Sequence, residues 1–442
     1  MIQALTVKME GESMHLHTVS RRSFVAGAGT LAAATLVTPK VVFGQAQRVF
    51  KFAVIGCGGR GSGAVNDITR AAERMGAKAV LVAAADFVQE KAAAICKQYN
   101  CPEKFAFGGH AGYLKVLESD AEIVLLAAPP FFRPLHLEAC VKAGKHIFAE
   151  KPVATDPAGV RRFLAGVEAA KQKNLAILSG TCHRHNNRAL RMIKPMQEGV
   201  IGRLCGGVVY RCHGGMNHAS YMRPRQASDT NAAYMSKAWY FWRQMSGDNL
   251  TEQGIHEVDL ANWFIGRLPK TAMGIGARHR RAIGNGYDCL SVDYDYGDGL
   301  HIHTIARQID GCSDRCGTIL TGAEGECSVL GKISRWDNKA ISYDEERIKT
   351  RDGNMMVMEH WDMLNGLATG NYLHEGEQVA MATATTIIGT LACWSGQTVR
   401  MTDILSNEKS EFYNMNNPWQ PEDFEKGDVA LPEEGKAPVP GK

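Results

Sequence analysis

Along this chain of 442 residues the spacing of apolar positions changes period repeatedly, and each change marks an element. Residues 49–55 form a β-rich apolar run that breaks into Gly56-Cys57-Gly58-Gly59-Arg60-Gly61. Ala64, Val65, Ile68, Ala71, Ala72 and Met75 then recur at spacings of three and four until Gly76. This predicts a buried strand, a glycine turn and an amphipathic helix. Residues 79–85 are almost wholly apolar, as expected of a parallel strand covered on both faces, and end at Asp86. Helical periodicity at 89–99, 113–117, 136–143 and 157–171 alternates with short apolar runs at 105–107, 121–127, 146–149 and 175–179. That alternation predicts a doubly wound Rossmann domain over residues 47–180, with its ligand at the carboxyl ends of the strands.

From Arg203 the pattern changes. Strand-like runs at 204–211, 272–278, 289–296, 300–309, 318–320 and 326–330 are separated by turn residues such as Gly297-Asp298-Gly299. Two helical stretches follow at 355–368 and 377–395. Residues 181–406 are therefore expected to form an α+β domain with a mainly antiparallel open sheet, for an α/β chain overall. Residues 407–442 hold five of the 15 prolines and many charges, which predicts an extended polar tail.

Two core-forming domains suit the length. The formal charge of +4 is not gathered into a basic tract, so no nucleic-acid partner is expected. Near the start, Ser20-Arg21-Arg22-Ser23-Phe24-Val25 precedes an Ala/Gly-rich apolar run ending at Val37, and Gly44-Gln45-Ala46 offers small residues for cleavage. Residues 1–46 thus resemble a twin-arginine signal peptide, implying passage through that translocation machinery to the periplasm, with Met14 a second candidate start. The apolar run is too short for a stable membrane anchor. All 12 cysteines follow Ala46; Cys312 and Cys316 are spaced so that a disulfide or free thiols both remain open, and no metal site is expected.

Gly56, Gly58 and Gly61 occupy the three glycine positions of the dinucleotide fingerprint, flanked by Gly59 and Arg60. The first permits the turn, the second lets backbone approach a pyrophosphate, and the third lets the helix pack on the strand. Asp86 supplies an acid for the adenosine ribose hydroxyls. It would repel a 2′-phosphate, and no cation follows in Phe87-Val88-Gln89-Glu90, so NAD is favoured over NADP.

With these residues stand Ala128-Pro129-Pro130 followed by His136, then Glu150-Lys151-Pro152, and Leu250-Thr251-Glu252-Gln253-Gly254-Ile255-His256-Glu257-Val258-Asp259. As a set they resemble the glucose-fructose oxidoreductase, inositol dehydrogenase and MocA family over nearly all of the chain after the signal. The resemblance implies that Pro129, His136, Glu150 and Lys151 join the glycine turn and Asp86 in holding the cofactor. It implies that Lys151 and His256 are catalytic, with Glu252 beside them. Removing hydride from a carbinol carbon requires a base near its hydroxyl and a cation to steady developing charge. His256 suits the base. On a helix, Glu252 four residues earlier would share its face and orient the imidazole. That position is commonly Asp in the family, so the longer side chain here is a departure.

His183 and Arg184 follow the last strand of the first domain, and Trp239, Trp242 and Arg243 precede the His256 helix; these five are candidates for substrate contact. The expected activity is hydride transfer between NAD and a hydroxyl of a sugar, cyclitol or sugar derivative. Alternatives are glycoside hydrolysis or lyase chemistry through transient oxidation of a ring carbon, and a non-catalytic nucleotide-binding sensor. Cofactor held tightly through export, and a homo-oligomer formed through the open sheet face, complete the expectation.

Overall fold

The computed structural model describes residues 5–9, 12–16, 48–215, 225–415, 417–427 and 429–441. Strands β1 (Leu5–Met9) and β2 (Glu12–Leu16) pair as an antiparallel hairpin. The twin-arginine pair and the apolar run after it lie outside the described residues. Among the described residues no helix is long and apolar enough to cross a membrane.

The first domain is an all-parallel sheet of β3 (Val49–Ile55), β4 (Lys78–Asp86), β5 (Ala106–Gly108), β6 (Ile123–Leu126), β7 (His146–Ala149) and β8 (Ile177–Ser179). Their order is β5-β4-β3-β6-β7-β8, so strands are added to one side of β3 and then, from β6 on, to the other, and the crevice at the carboxyl ends of β3 and β6 is the topological switch point. Helices α1 (Gly59–Arg74), α2 (Gln89–Gln98), α3 (Gly112–Leu117), α4 (Arg133–Lys142) and α5 (Pro157–Gln172) cover its faces. Full burial of Phe52, Val54, Ile123, Leu125 and Phe148 explains why these strands read as continuous apolar runs.

The second sheet has eight strands: β9 (Leu204–His213), β10 (Thr271–Ala277), β11 (Cys289–Asp295), β12 (His301–Gln308), β13 (Arg315–Gly322), β14 (Gly325–Ser328), β15 (Ile333–Arg335) and β16 (Val399–Arg400). Every neighbouring pair is antiparallel except β9 and β12, as the patterning predicts. Over its inner face runs α7 (Ile255–Ile265), while a shorter helix, α6 (Asn231–Lys237), lies outside it near the crevice. On the outer face of β10, Met273 is 59% and Ile275 74% exposed. All 12 cysteines are free thiols.

Two outcomes differ from the patterning. Helices α8 (Met355–Thr369) and α9 (Gly376–Ser395), assigned by sequence to the second domain, also build the core of the first. Val357, Met363, Leu364 and Leu367 pack with Ala64, Ile68 and Ala71 of α1, and Val379 and Ala380 join the opposite face of the sheet. The link between them pairs with β8, Glu375 N–H donating to the Ile177 carbonyl at 2.7 Å. The segment after Asn407 is not an extended tail: Phe412, Trp419, Phe424 and Val429 are buried, and Pro421–Lys426 forms a short helix, α10. Its prolines and charges conceal four large apolar residues whose partners lie far away in sequence.

Candidate active site

The glycine turn is made by backbone contacts that a side chain would block. Gly56 has φ +95°, and a Cβ there would sit 2.3 Å from the Ala128 nitrogen; at Gly61 it would sit 1.8 Å from the Gly56 oxygen. Only glycine permits this approach of α1 to β3. Gly58 and Gly59 are the reverse case. Their Cβ positions meet nothing within 4 Å, so open space lies before the amino end of a helix of 16 residues with no acid in its first turn. Bare N–H groups, a positive dipole end and that cradle fit a pyrophosphate. Asp86 ends β4 and accepts from the N–H groups of Cys57 (2.7 Å) and Val88 (2.9 Å), each oxygen keeping a lone pair for a ribose hydroxyl.

Arg60 spans the turn, pairing with Asp67 at 2.6 Å and with Glu150 at 3.1 Å. Glu150 is buried at the end of β7, its other oxygen pressed toward Gly180, where a Cβ would approach it to 2.4 Å. Pro129 is half-buried at the end of β6. The loops after β6 and β7 are joined by a residue the patterning missed. Arg133 donates to the Ala128 carbonyl at 2.6 Å and to that of Pro152. A cation in the first turn of a helix opposes the dipole, and that misfit is the signal by which Arg133 stands out in sequence. His136 lies behind the loop. It is buried, stacked on Phe132 and close to Tyr113, and burial, then Arg133 and His110, push its pKa down to about 3. It props the cofactor loop from behind.

Lys151 reaches across to the second domain, donating to the Glu252 carbonyl at 2.6 Å and to its carboxylate at 3.1 Å. Both side chains are about nine-tenths buried. Burial raises the Glu252 pKa while Lys151 and Arg133 oppose the rise. The predicted pairing of Glu252 with His256 does not form. Leu250–Gly254 is a π-helical turn, and α7 begins only at Ile255, so the wider turn rotates Glu252 off the His256 face and Lys151 takes its carboxylate. His256 instead faces His183, ring centroids 5.2 Å apart, and neither Nδ1 has a hydrogen-bond partner among the described residues. Burial, then Lys151, His183 and Arg211, holds the His256 pKa well below its usual value, so the ring is a neutral base at neutral pH.

Of the candidate substrate contacts, His183 stays in the site and three others leave it. Arg184 forms a two-point ion pair with Asp259 at 2.8 and 2.9 Å and lies over Trp263. Trp242 is 0% exposed in a cluster with Phe131, Met245 and Trp419. Arg243 stacks on Trp394 at 4.5 Å and lines a separate cleft with Thr155, Gly247 and Asn417. Trp239 is half-buried against Tyr240. Arg211 of β9, which holds Glu257 and Gln253 at 2.9 Å each, borders the histidines and was not found from sequence. For metals, Cys182, His183 and His256 bring donor atoms within 4.8 Å of one another, a soft set of the kind zinc accepts.

Residues 50–180 match the NAD-binding Rossmann fold of the oxidoreductase family Gfo/Idh/MocA, and residues 196–328 match the family's C-terminal domain. The chain belongs to the Gfo/Idh/MocA oxidoreductase family. Its Rossmann domain is the family's NAD-binding domain. This family member is similar to 2,7-anhydro-N-acetylneuraminate hydratase of Escherichia coli, 27% identical over 40% of this chain and 43% of the relative. It is 26% identical to inositol 2-dehydrogenase of Rhizobium meliloti over 52% of this chain and 62% of the relative. The chain thus spans about half the length of the curated relatives it matches. Its fold is shared with the WlbA dehydrogenase of Bordetella pertussis, solved with NADH and UDP-GlcNAcA: TM-score 0.63, 17% identity, 80% of this chain and 99% of that one.

Proposed function

We propose that this Gfo/Idh/MocA protein is an exported, periplasmic NAD-dependent oxidoreductase that moves hydride between a hydroxyl-bearing carbon of a sugar, cyclitol or sugar derivative and a tightly held cofactor. The observation that carries the proposal is Lys151, directly after β7, bonded to Glu252 of the second domain and near enough to His256 for its charge to help hold that imidazole neutral. The bound nicotinamide supplies a hydride acceptor. The third N–H of the Lys151 ammonium is left for the substrate oxygen, because the other two are held by the Glu252 carbonyl and carboxylate. Neutral His256 takes the hydroxyl proton as the carbon loses hydride, and Lys151 steadies the charge growing on that oxygen until it is a carbonyl. Glu252 acts on Lys151, fixing its ammonium, and not on the imidazole. His183 stands edge-on to His256 in the same site.

Lys151→Ala and His256→Ala are each expected to lose turnover at least a hundredfold while NAD still binds, measured as nicotinamide absorbance with a panel of sugars and as NAD affinity by calorimetry. Normal turnover in both variants would sink the assignment. The likeness to a hydratase supports a second reading, in which oxidation is transient and the net reaction is addition or elimination. Product release without net NADH would select it. The exposed Met273 and Ile275 support assembly with a second copy through the outer sheet face, which solution mass checks.

A further inference from the structure

We infer that the carboxy-terminal segment from Asn417 to Lys426 is part of the dinucleotide site and sets how fast the cofactor leaves, an inference that rests on the NAD reading above. The rings concerned start at Phe87, directly after Asp86. Phe87 lies 4.4 Å from the His110 ring, and His110 lies 5.6 Å from Phe132, the second residue after Pro130. These three rings connect the loops at the carboxyl ends of β4 and β6, the two strands that flank β3 and its glycine turn. A dinucleotide seated on that turn, with its ribose at Asp86, therefore lies against this row of rings.

The tail holds the row together. Phe424, 2% exposed, stands edge-on to Phe132 at 5.1 Å and 5.5 Å from His110. Trp419 backs it at 5.8 Å, and α6 adds Ser236, bonded to His110 Nε2 at 2.8 Å. The segment is fastened at both ends. Asn417 donates to Thr155 at 3.1 Å and to the Gln244 carbonyl at 3.2 Å; Glu422 shares Arg162 with Glu138, each at 2.7 Å. Two buried aromatic anchors and a shared cation make a closed wall, not a loose tail. For the adenosine half of the cofactor to leave, the rings must part, and Phe424 opposes that. It is a positioning residue, acting through His110 and Phe132.

The full chain is loaded with NADH, chased with excess NAD, and the decay of bound-NADH fluorescence is timed. Phe424→Ala is expected to release NADH at least tenfold faster than wild type. Phe424→Leu, which keeps an apolar filler, should release it within about threefold of wild type, and the substrate KM should move little in either. Circular dichroism melting confirms that each variant is folded; if Phe424→Ala is not, Asn417→Ala, which removes the bonds to Thr155 and Gln244 that fasten the segment, is expected to speed NADH release at least threefold, and wild-type release from it overturns the inference. A folded Phe424→Ala that releases NADH at the wild-type rate overturns the inference. Should wild type itself release NADH within the mixing time, tight retention fails while the wall is still judged by equilibrium titration. Equal NADH Kd in wild type and Phe424→Ala would then overturn it, and a tenfold weaker Kd would uphold it.

Discussion

Gly58→Ala and Gly61→Ala are the same chemical change three residues apart, and the structure assigns them opposite consequences for stability. At Gly58 the backbone has φ −74° and ψ −169°, a conformation any L residue adopts, and the new methyl would meet nothing within 4 Å. Stiffening the unfolded chain there should leave the protein as stable as before or about 0.4–1 kcal/mol more so. The same methyl, however, occupies the space in front of α1 where the phosphates would lie. Overpacking of a close contact costs about 1–3 kcal/mol, a loss in NAD affinity of roughly five- to 150-fold. At Gly61 the methyl would sit 1.8 Å from the Gly56 oxygen, backbone against backbone, with no rotamer to absorb it. Separating α1 from β3 should cost at least the ~3 kcal/mol at the upper end of ordinary overpacking, and NAD binding with it. Urea midpoints and NAD titration calorimetry read both quantities. Gly58→Ala with wild-type NAD affinity would refute the placement of the phosphates, and Gly61→Ala with a wild-type midpoint would refute the close approach.

Other expectations follow from the same geometry. Arg184→Gln should destabilise by about 3–5 kcal/mol, because Asp259, 2% exposed, would lose its two-point partner, yet leave the substrate KM nearly unchanged; a raised KM at full stability would return Arg184 to substrate contact. Burial of His136 depresses its folded pKa to about 3, against 6.5 unfolded, so its contribution is complete above pH 6.5 and falls as pH drops toward 3. The loss is of order 2 kcal/mol at pH 5, and His136→Phe should flatten the fall in urea midpoint between pH 7 and 5. His185 titrates in the opposite sense. Burial lowers its pKa, but Glu375 and Asp362, at 3.3 and 2.6 Å, outweigh that and lift it to about 10. Its stabilisation is complete below pH 6.5 and is lost as pH rises toward 10, a slope His185→Gln should remove from an alkaline melting series.

What could be read from the sequence was what lies within one stretch of chain. Each strand of the first domain announces itself because a parallel strand buried on both faces must be apolar throughout, and the glycine turn because its contacts are made by backbone a few residues apart. Asp86, Glu150 and Lys151 follow from the same locality, since a residue just past a parallel strand must lie at the crevice. Tertiary structure decided what those residues touch. Lys151 finds Glu252 across 101 positions, and a single π-helical turn takes Glu252 from the histidine that helical spacing promised it. Trp242, Arg184 and Arg243 have the chemistry to bind a sugar, but each is claimed by a distant partner: the tail cluster, Asp259 and Trp394. Arg133 and Arg211 gain their roles only from loops and strands brought beside them. The final segment is the plainest case. Its composition is that of a solvated tail, yet Trp419 and Phe424 are buried because β6 and α4 place Phe131 and Phe132 where they can cover them. Apolar burial depends on area removed from water, and that area belongs to pairs of surfaces, one of which no local reading of the tail contains.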